Sequence, residues 1–295
     1  MSFANELRRE LALLPVKRPC CRKALLQGLL LGAVAEGAKQ VSFRLTEQEC
    51  ATMACEQIHT LFACEPQVVQ SGAHGRRYWD LSFSSSAAAK LVRTLQSAGD
   101  GQACCVKAVC EGCLAHFLRG AFLSCGTVSD PHKSFHLEFS VTNSGAEHTL
   151  ACVLELAGYP ARRTVREGKI GLYYKDSSSI EELITMMGAH HLIFEVMNSR
   201  IERDIRNNEN RATNCVAKNI EKSISAATRQ MEAIDKLMET GKLLSLDEAL
   251  RTTAELRYQH PDATLDELTL LHCPTISKSG LNHRLQRLIE AAKDL

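Results

Sequence analysis

The chain has 295 residues and a formal net charge of +1 at pH 7, with 35 lysines and arginines against 34 aspartates and glutamates. This balance excludes nucleic-acid binding through overall charge, so any such binding must depend on local basic clusters. No apolar run approaches the ~20 residues of a transmembrane helix, and the first residues lack a signal peptide's apolar segment, so we expect a cytoplasmic protein without membrane contact.

An internal repeat organises the first two thirds of the chain. The segment Leu25–Gly32 (LLQGLLLG) resembles Phe117–Ser124 (FLRGAFLS), and Gly120 follows Gly28 by 92 residues. The apolar alternation at 41, 43 and 45 returns 94 residues later, and the serines at 84–86 return 93 residues later. Because this offset is nearly constant over elements of different kinds, it predicts an αββαββα unit used twice.

The second copy predicts a helix over 113–123, strands near 135–141 and 170–174, and a helix over 147–157 between them. Gly168 indicates a hairpin between 162–165 and 170–174. Small residues recur at four-residue spacing in the repeated helix, at Gly28 and Gly32 and at Gly120 and Ser124. Such spacing allows two helix backbones to approach closely, so we expect the two copies to pair through these helices.

Thirteen cysteines, an odd number scattered over the chain, indicate reduced thiols rather than a disulfide framework. Cys110 and Cys113 form a C-x-x-C pattern with His116 one turn later, so a zinc or redox site is one interpretation. The candidates to complete a zinc site are Cys104 and Cys105, which are adjacent and poorly spaced for one tetrahedron. We therefore predict no metal and no cofactor, with these cysteines as half-buried helix residues.

A polar stretch at 207–210 separates the helical pattern of 201–205 from a longer one at 215–238, whose apolar residues lie on one side. This composition predicts an N-terminal domain over 1–205, with repeats at about 20–100 and 110–190. A linker over 206–214 and a helical domain over 215–295 follow it.

The last stretch predicts two short helices joined by a tight turn, packed on a helix over 246–258. Thr264 and Glu267 have the spacing of a capping box at the start of the first helix. Pro274 breaks the helical pattern because it lacks a backbone N–H, and Ser277 is the expected N-cap of the second helix.

The second helix carries Leu281, Leu285 and Leu288 in one stripe, and polar side chains point away from that stripe. A helix-turn-helix places such side chains in the major groove of DNA, where they bond base edges and phosphates. The residues predicted to contact DNA are Ser277, Lys278, Ser279, Asn282, His283, Arg284, Gln286 and Arg287. The alternative is a structural three-helix bundle with an ordinary solvated face.

A glycine-containing helix at the head of two αββ units resembles the LAGLIDADG homing-endonuclease fold. The ending ISKSGLNHRLQRL resembles the helix-turn-helix of the WhiA family, and so do MSFANELRREL, the run FLRGAFLSCGTVSDPHKSFHLEF at 117–139 and NNENRATNC at 207–215. The resemblance covers nearly the whole chain. It implies an α+β N-terminal domain of two LAGLIDADG-like αββαββα pseudo-repeats, joined to an all-α helix-turn-helix C-terminal domain.

The resemblance implies a bacterial DNA-binding transcriptional regulator tied to sporulation, cell division and chromosome segregation, associated with the nucleoid in the cytoplasm. It does not imply a nuclease. With Gly126 as the last glycine of the motif, the acidic metal-binding position of active enzymes corresponds to Cys125 here, and to Ala33 in the first copy. Neither side chain offers the oxygen ligands that Mg²⁺ requires. Asp130 and Glu36 lie a few residues on and are the remaining acidic candidates.

In active relatives the strands of this fold present a saddle to DNA, so the N-terminal domain is a candidate platform for phosphate contact. The candidate residues on or beside the strands are Arg44, Arg76, Arg77, Arg162, Arg163 and Lys169. An ordinary solvated sheet face is the alternative, and a protein partner is a further use of this surface. For the whole chain, the other two hypotheses are a residual LAGLIDADG-type endonuclease and a protein-binding scaffold.

Overall fold

Helix α1 (Phe3–Leu13) precedes two copies of one folding unit. The computed structural model describes residues 2–73, 76–97 and 104–293, and the side chains of residues 73 and 76 also lie outside the description. The chain divides into two units, Met1–Arg203 and Asp204–Leu295, each with its own hydrophobic core.

Both copies in the first unit have the predicted order αββαββα. The first copy consists of α2 (Pro19–Leu29), β1 (Val34–Glu36), β2 (Gln40–Leu45), α3 (Gln48–Phe62), β3 (Gln67–Ala73), β4 (Arg76–Ser84) and α4 (Ser86–Gln96). The second copy consists of α5 (Gly112–Cys125), β5 (Gly126–Val128), β6 (Leu137–Val141), α6 (Ser144–Leu156), β7 (Arg162–Arg166), β8 (Lys169–Tyr174) and α7 (Ser177–Met187). The repeat predicted from the sequence is therefore confirmed.

Each copy contributes one antiparallel four-stranded sheet, with the orders β1-β2-β4-β3 and β5-β6-β8-β7. The apolar residues of β2, Val41, Phe43 and Leu45, are buried in the core, as their alternation predicts. The matched serine segments begin equivalent helices, because Ser85 caps α4 and Asp176 caps α7. The predicted order includes the short strands β1 and β5, which follow the ends of α2 and α5, but the sequence did not locate them.

The predicted hairpin between β7 and β8 is confirmed. Arg166 pairs with Lys169, so the turn contains only Glu167 and Gly168. Both turn residues have positive φ, 48° and 75°, which is typical of the type I′ turn that matches strand twist.

Helices α2 and α5 pack closely where each has a glycine. A Cβ atom on Gly28 would overlap the carbonyl oxygen of Phe117, and one on Gly120 would overlap the carbonyl oxygen of Leu25. The hydroxyl of Ser124 donates to the carbonyl oxygen of Gly28 at 3.2 Å. The expectation of close approach is wrong for Gly32, where a Cβ would meet open space, because α2 has ended and Gly32 closes a 3₁₀ turn.

Helix α8 (Leu192–Glu239) is 48 residues long and contains the predicted linker. Residues 206–214 are therefore helical rather than a break, and the reason is that α8 has neither glycine nor proline to interrupt it. Its predicted apolar side is buried near its C-terminal end, at Ile234 and Leu237, whereas Val216 and Ile220 are exposed. Among the described residues, no helix is both long enough and apolar enough to cross a membrane.

The core of the second unit is formed by the end of α8 and three further helices, α9 (Glu248–Gln259), α10 (Leu265–Leu271) and α11 (Lys278–Lys293). Asp247 caps α9 by accepting a hydrogen bond from the amide of Leu250 at 2.8 Å. The three terminal helices have the order that the sequence predicts, but α11, with 16 residues, is longer than the short helix expected.

Candidate nucleic-acid interface

Local hydrogen bonds fix the start of α10 and the start of α11. The Thr264 amide donates to the Glu267 carboxylate at 2.7 Å, and the Glu267 amide donates to the Thr264 hydroxyl at 3.3 Å. This predicted capping box is confirmed, and its hydrogen bonds lower the pKa of Glu267. Ser277 receives the amide of Gly280 at 3.1 Å, as an N-cap does. The turn between the two helices contains Pro274, as predicted.

Helix α11 has one apolar side and one polar side. Leu281, Leu285 and Leu288 are each only 1% exposed and pack in the core of the second unit. Arg284 lies at the edge and is half-buried. The other residues predicted to contact DNA are exposed: Ser277, Lys278, Ser279, Asn282, His283, Gln286 and Arg287. The exposed side is therefore rich in hydrogen-bonding groups.

Two cations of α11 lie near carboxylates on neighbouring elements. The Lys278 Nζ atom is 2.7 Å from Asp266 Oδ2, and Arg287 Nη1 is 3.4 Å from Asp247 Oδ2. Exposed ion pairs of this kind contribute about 0–1 kcal/mol, so a phosphate can compete for either cation. Helix α11 carries four lysines and arginines and one carboxylate, Glu290, which makes its surface locally basic.

Two buried polar residues lie beside the helix pair, and the sequence analysis did not identify them. Arg257 is 3% exposed and donates to the carbonyl oxygen of Ala263 at 2.5 Å, which fixes the loop before α10. His272 is 5% exposed, and its burial, with a smaller contribution from Arg284, lowers its pKa. The positions of Arg257 and His272 in the amphipathic pattern are the same as those of surface residues, so nothing in the sequence indicated that they are buried.

The basic residues of the first sheet do not share one face. Arg44 points away from the core and pairs with Asp80, at 2.6 Å between Nε and Oδ1. Arg77 is exposed, but it lies on the same face of β4 as Trp79, two residues later, and that face is the one turned to the core. The side chain of Arg76 lies outside the described residues.

The second sheet divides its basic residues in the same way. Arg162 and Lys169 lie on the outer face of the sheet, together with Tyr173. Arg162 is the cross-strand partner of Tyr173, and Lys169 is four residues before Tyr173 on β8, so all three side chains share one face. Arg163 turns to the other face, where its Nε atom is 2.5 Å from the carboxylate of Glu147 in α6. Of the six residues predicted to contact phosphate, Arg44, Arg162 and Lys169 therefore lie on the outer faces of the two sheets.

The ends of α2 and α5 hold no carboxylate at the positions where the resemblance implies a metal. Ala33 is 2% exposed, and burial raises the pKa of the Cys125 thiol to about 12. Arg8 of α1 approaches the same helix end and donates to the carbonyl oxygen of Gly126 at 2.6 Å. A protein cation therefore lies beside Cys125, the position at which the resemblance implies a metal ligand.

The remaining acidic candidates do not supply a metal site either. Asp130 accepts a hydrogen bond from the amide of His132 at 3.0 Å, and Glu36 is exposed on β1. Among the residues that the structure describes, neither belongs to a cluster of three or more possible metal ligands.

The cysteine pattern has different neighbours from those expected. Cys110 and Cys113 lie beside Cys20 and Cys21 at the start of α2. Cys105 instead contacts the hydroxyl of Thr149 at 3.4 Å. The expectation that only Cys104 and Cys105 could complete a site is wrong, because the fold brings the starts of α2 and α5 together across about 90 residues of sequence.

Family models match both parts of the chain. The model described as the WhiA LAGLIDADG-like domain matches residues 114–206, and the model of the WhiA C-terminal HTH domain matches residues 210–292. The chain is 37% identical over 179 residues to the "Probable cell division protein WhiA" of Clostridium tetani. It is 39% identical over 183 residues to the protein of the same name from Alkaliphilus oremlandii.

These alignments cover 61% and 62% of this chain and only 56% and 57% of the two relatives, respectively. Among solved structures, the fold is similar to full-length DUF199/WhiA from T. maritima, with a TM-score of 0.61 and 20% identity. That match covers 100% of this chain and 99% of the other. The isolated N-terminal LAGLIDADG domain of DUF199/WhiA matches 64% of this chain and 94% of its own length, with a TM-score of 0.52 and 16% identity. At these identities, the two structures support the fold alone.

Proposed function

The chain belongs to the WhiA family, and on that ground we propose that it is a non-enzymatic, sequence-specific binder of double-stranded DNA that regulates transcription. We propose that the regulated genes act in sporulation, in cell division and chromosome segregation, or in both of these processes. A protein with this activity works at the nucleoid.

The observation that carries this proposal is the two-sided character of α11. Three leucines anchor one side in the core, and Asn282, Gln286 and Arg287 are exposed on the other. An amide side chain can bond adenine bidentately and an arginine can bond guanine, which are the common contacts of a recognition helix. Lys278 and Arg284 at the margins suit phosphate oxygens. These features favour DNA binding over a purely structural helix bundle.

The absence of catalysis is supported by the ends of α2 and α5. Metal-assisted cleavage of a phosphodiester needs carboxylates that hold the ion between the two copies. Ala33 and Cys125 occupy those positions, and the Arg8 guanidinium lies beside one of them. The residual-endonuclease hypothesis therefore has no support from the described side chains.

For the first unit we propose a supporting role in binding. Arg44, Arg162 and Lys169 on the outer sheet faces suit phosphate contact, with Arg76, Arg77 and Arg163 as the remaining candidates. Such contacts would add affinity without sequence preference. A protein partner is the alternative occupant of these faces. We assign sequence-specific binding to residues 215–295 and this supporting role to residues 1–205.

Genome-wide mapping of the full chain tests the proposal. The wild type should occupy discrete sites near regulated genes, and a double variant, Asn282→Ala with Arg287→Ala, should lose them while its circular dichroism is unchanged. Arg229→Ala removes an exposed arginine from α8 and serves as the matched control, which should keep the sites. Equal occupancy by the double variant and the wild type would overturn the assignment of α11.

A further inference from the structure

Four thiols from the two copies meet at one end of the paired helices α2 and α5. Cys20 and Cys21 lie in the first turn of α2, Cys113 lies in the first turn of α5, and Cys110 lies in the turn that precedes it. The four sulfur atoms lie within 4.8 Å of one another. They form the only cluster of three or more possible metal ligands in the described parts of the chain.

The distances between the sulfur atoms fit a single tetrahedral ion. Cys110 Sγ is 3.6 Å from Cys20 Sγ, 3.5 Å from Cys21 Sγ and 3.6 Å from Cys113 Sγ. Four ligands at the usual zinc–sulfur distance of about 2.3 Å lie about 3.8 Å apart at the corners of a tetrahedron. A disulfide would instead require about 2.05 Å, and all four cysteines are free.

The adjacency of Cys20 and Cys21 does not prevent both from facing one point. The Sγ atoms of Cys20 and Cys21 both lie within 3.6 Å of Cys110 Sγ, so Cys110, in the turn before α5, contacts both. His116 does not belong to the cluster, although it lies one turn after Cys113, and its Nδ1 atom lies 2.7 Å from the carbonyl oxygen of Gly112.

The surroundings suit a site with negative charge. Lys17 and Arg18 line the shallow cavity next to Cys21 and Cys110. A zinc ion with four thiolates carries two net negative charges, and these two cations offset them.

We propose that Cys20, Cys21, Cys110 and Cys113 bind one Zn²⁺ ion as four thiolates in a closed structural site. Soft thiolate ligands in a tetrahedral arrangement select zinc over the hard cations that carboxylates bind. The ion joins the start of α2 to the start of α5, at the opposite end of these helices from Ala33 and Cys125. Metal binding then stabilises the pairing of the two copies, since the thiols converge only in the folded unit.

Elemental analysis of the purified full chain tests the site. The protein is prepared with a thiol reductant and without chelator, and zinc and iron are measured per chain. We expect one zinc per chain in the wild type and a loss of at least tenfold in Cys20→Ser and in Cys110→Ser, which alter half-buried residues. Cys104→Ser removes a half-buried thiol outside the cluster and should retain the metal.

Two further measurements keep the test decisive if a variant folds poorly. X-ray absorption of the wild type at the zinc edge should show four sulfur neighbours at about 2.3 Å. Treatment with a chelator should lower the melting temperature of the wild type and leave that of Cys110→Ser unchanged. Wild-type protein with no more zinc than Cys110→Ser, a disulfide among these thiols in freshly reduced protein, or iron in place of zinc would overturn the proposal.

Discussion

Lys278, the first residue of α11, holds its ammonium group 2.7 Å from a carboxylate oxygen of Asp266 in α10. The same ammonium is well placed for a phosphate, so the carboxylate and DNA compete for it. Because the pair is exposed, the competition costs DNA binding only modestly.

We therefore expect opposite effects from the two partners. Lys278→Ala should weaken binding to all DNA sequences alike and reduce the slope of log affinity against log salt by about 0.9, as for one phosphate contact. Asp266→Asn should strengthen binding at low salt, whereas Asp235→Asn on α8 should not. Fluorescence anisotropy at several salt concentrations measures both effects. Equal salt slopes for Lys278→Ala and wild type would contradict a phosphate contact.

Residues that read bases should affect discrimination as well as affinity. We expect Asn282→Ala and Arg287→Ala each to cost about 1–3 kcal/mol on the preferred site, because a bidentate contact to a base edge is lost. Binding to unrelated DNA should change much less. Competition assays with mapped and scrambled sites measure the ratio, and an unchanged ratio in both folded variants would remove these residues from base recognition.

The protein should cleave no DNA. Supercoiled and linear DNA incubated with Mg²⁺ or Mn²⁺ should stay intact on agarose gels, because Ala33 and Cys125 offer no oxygen ligands. Asp130→Asn is the informative comparison and should behave as the wild type does. Nicking by the wild type that disappears in Asp130→Asn would show that a substitute carboxylate supports catalysis.

A single methyl group at either paired glycine should destabilise the first unit. Gly28→Ala and Gly120→Ala each place a Cβ against a backbone carbonyl of the other helix, which cannot rotate away. We expect a loss of about 1–3 kcal/mol or more, as for overpacked cores. Gly32→Ala is the matched control, since its Cβ would meet open space. Urea unfolding followed by circular dichroism measures all three, and equal midpoints would contradict the close packing of α2 on α5.

His272 should make the second unit less stable in acid. Its pKa is lowered in the folded state by burial and by Arg284, so the unfolded chain binds the proton more readily. Stability from the neutral ring is present above the ordinary pKa of about 6.5 and is lost as the pH falls below it. His272→Gln should flatten this dependence, and His283→Gln, on the exposed side of α11, should not. Chemical unfolding measured at pH values from about 5 to 8, the range in which histidine titrates, tests this prediction.

Local patterns in the sequence determined much of this fold. The offset between the two copies predicted both αββαββα units, because matched turns, caps and apolar alternations each encode their own element. Thr264 and Glu267 predicted a helix start in the same way. The three-residue strands β1 and β5 could not be located from the sequence, because they are too short to show alternation and pair only with β2 and β6.

Contacts between distant segments could not be predicted in this way. Cys20 and Cys110 are 90 residues apart, and only the packing of α2 on α5 brings them together. The pairings of Arg163 with Glu147 and of Arg8 with Gly126 likewise depend on tertiary register. For α11 the sequence was sufficient to divide the leucine side from the polar side, because helical periodicity alone determines it.

The ends of α2 and α5 also limit what an acidic substitution there could achieve. An aspartate introduced at position 33 would place a charge at a position that is only 2% exposed, which costs free energy of desolvation. One restored at position 125 would meet the guanidinium of Arg8 before any metal ion. Because a metal held between the two copies would need a carboxylate from each, we expect neither single substitution to create a metal site. The burial of Ala33 and the guanidinium beside Cys125 thus place different obstacles at the two helix ends, desolvation at one and pairing with a protein cation at the other.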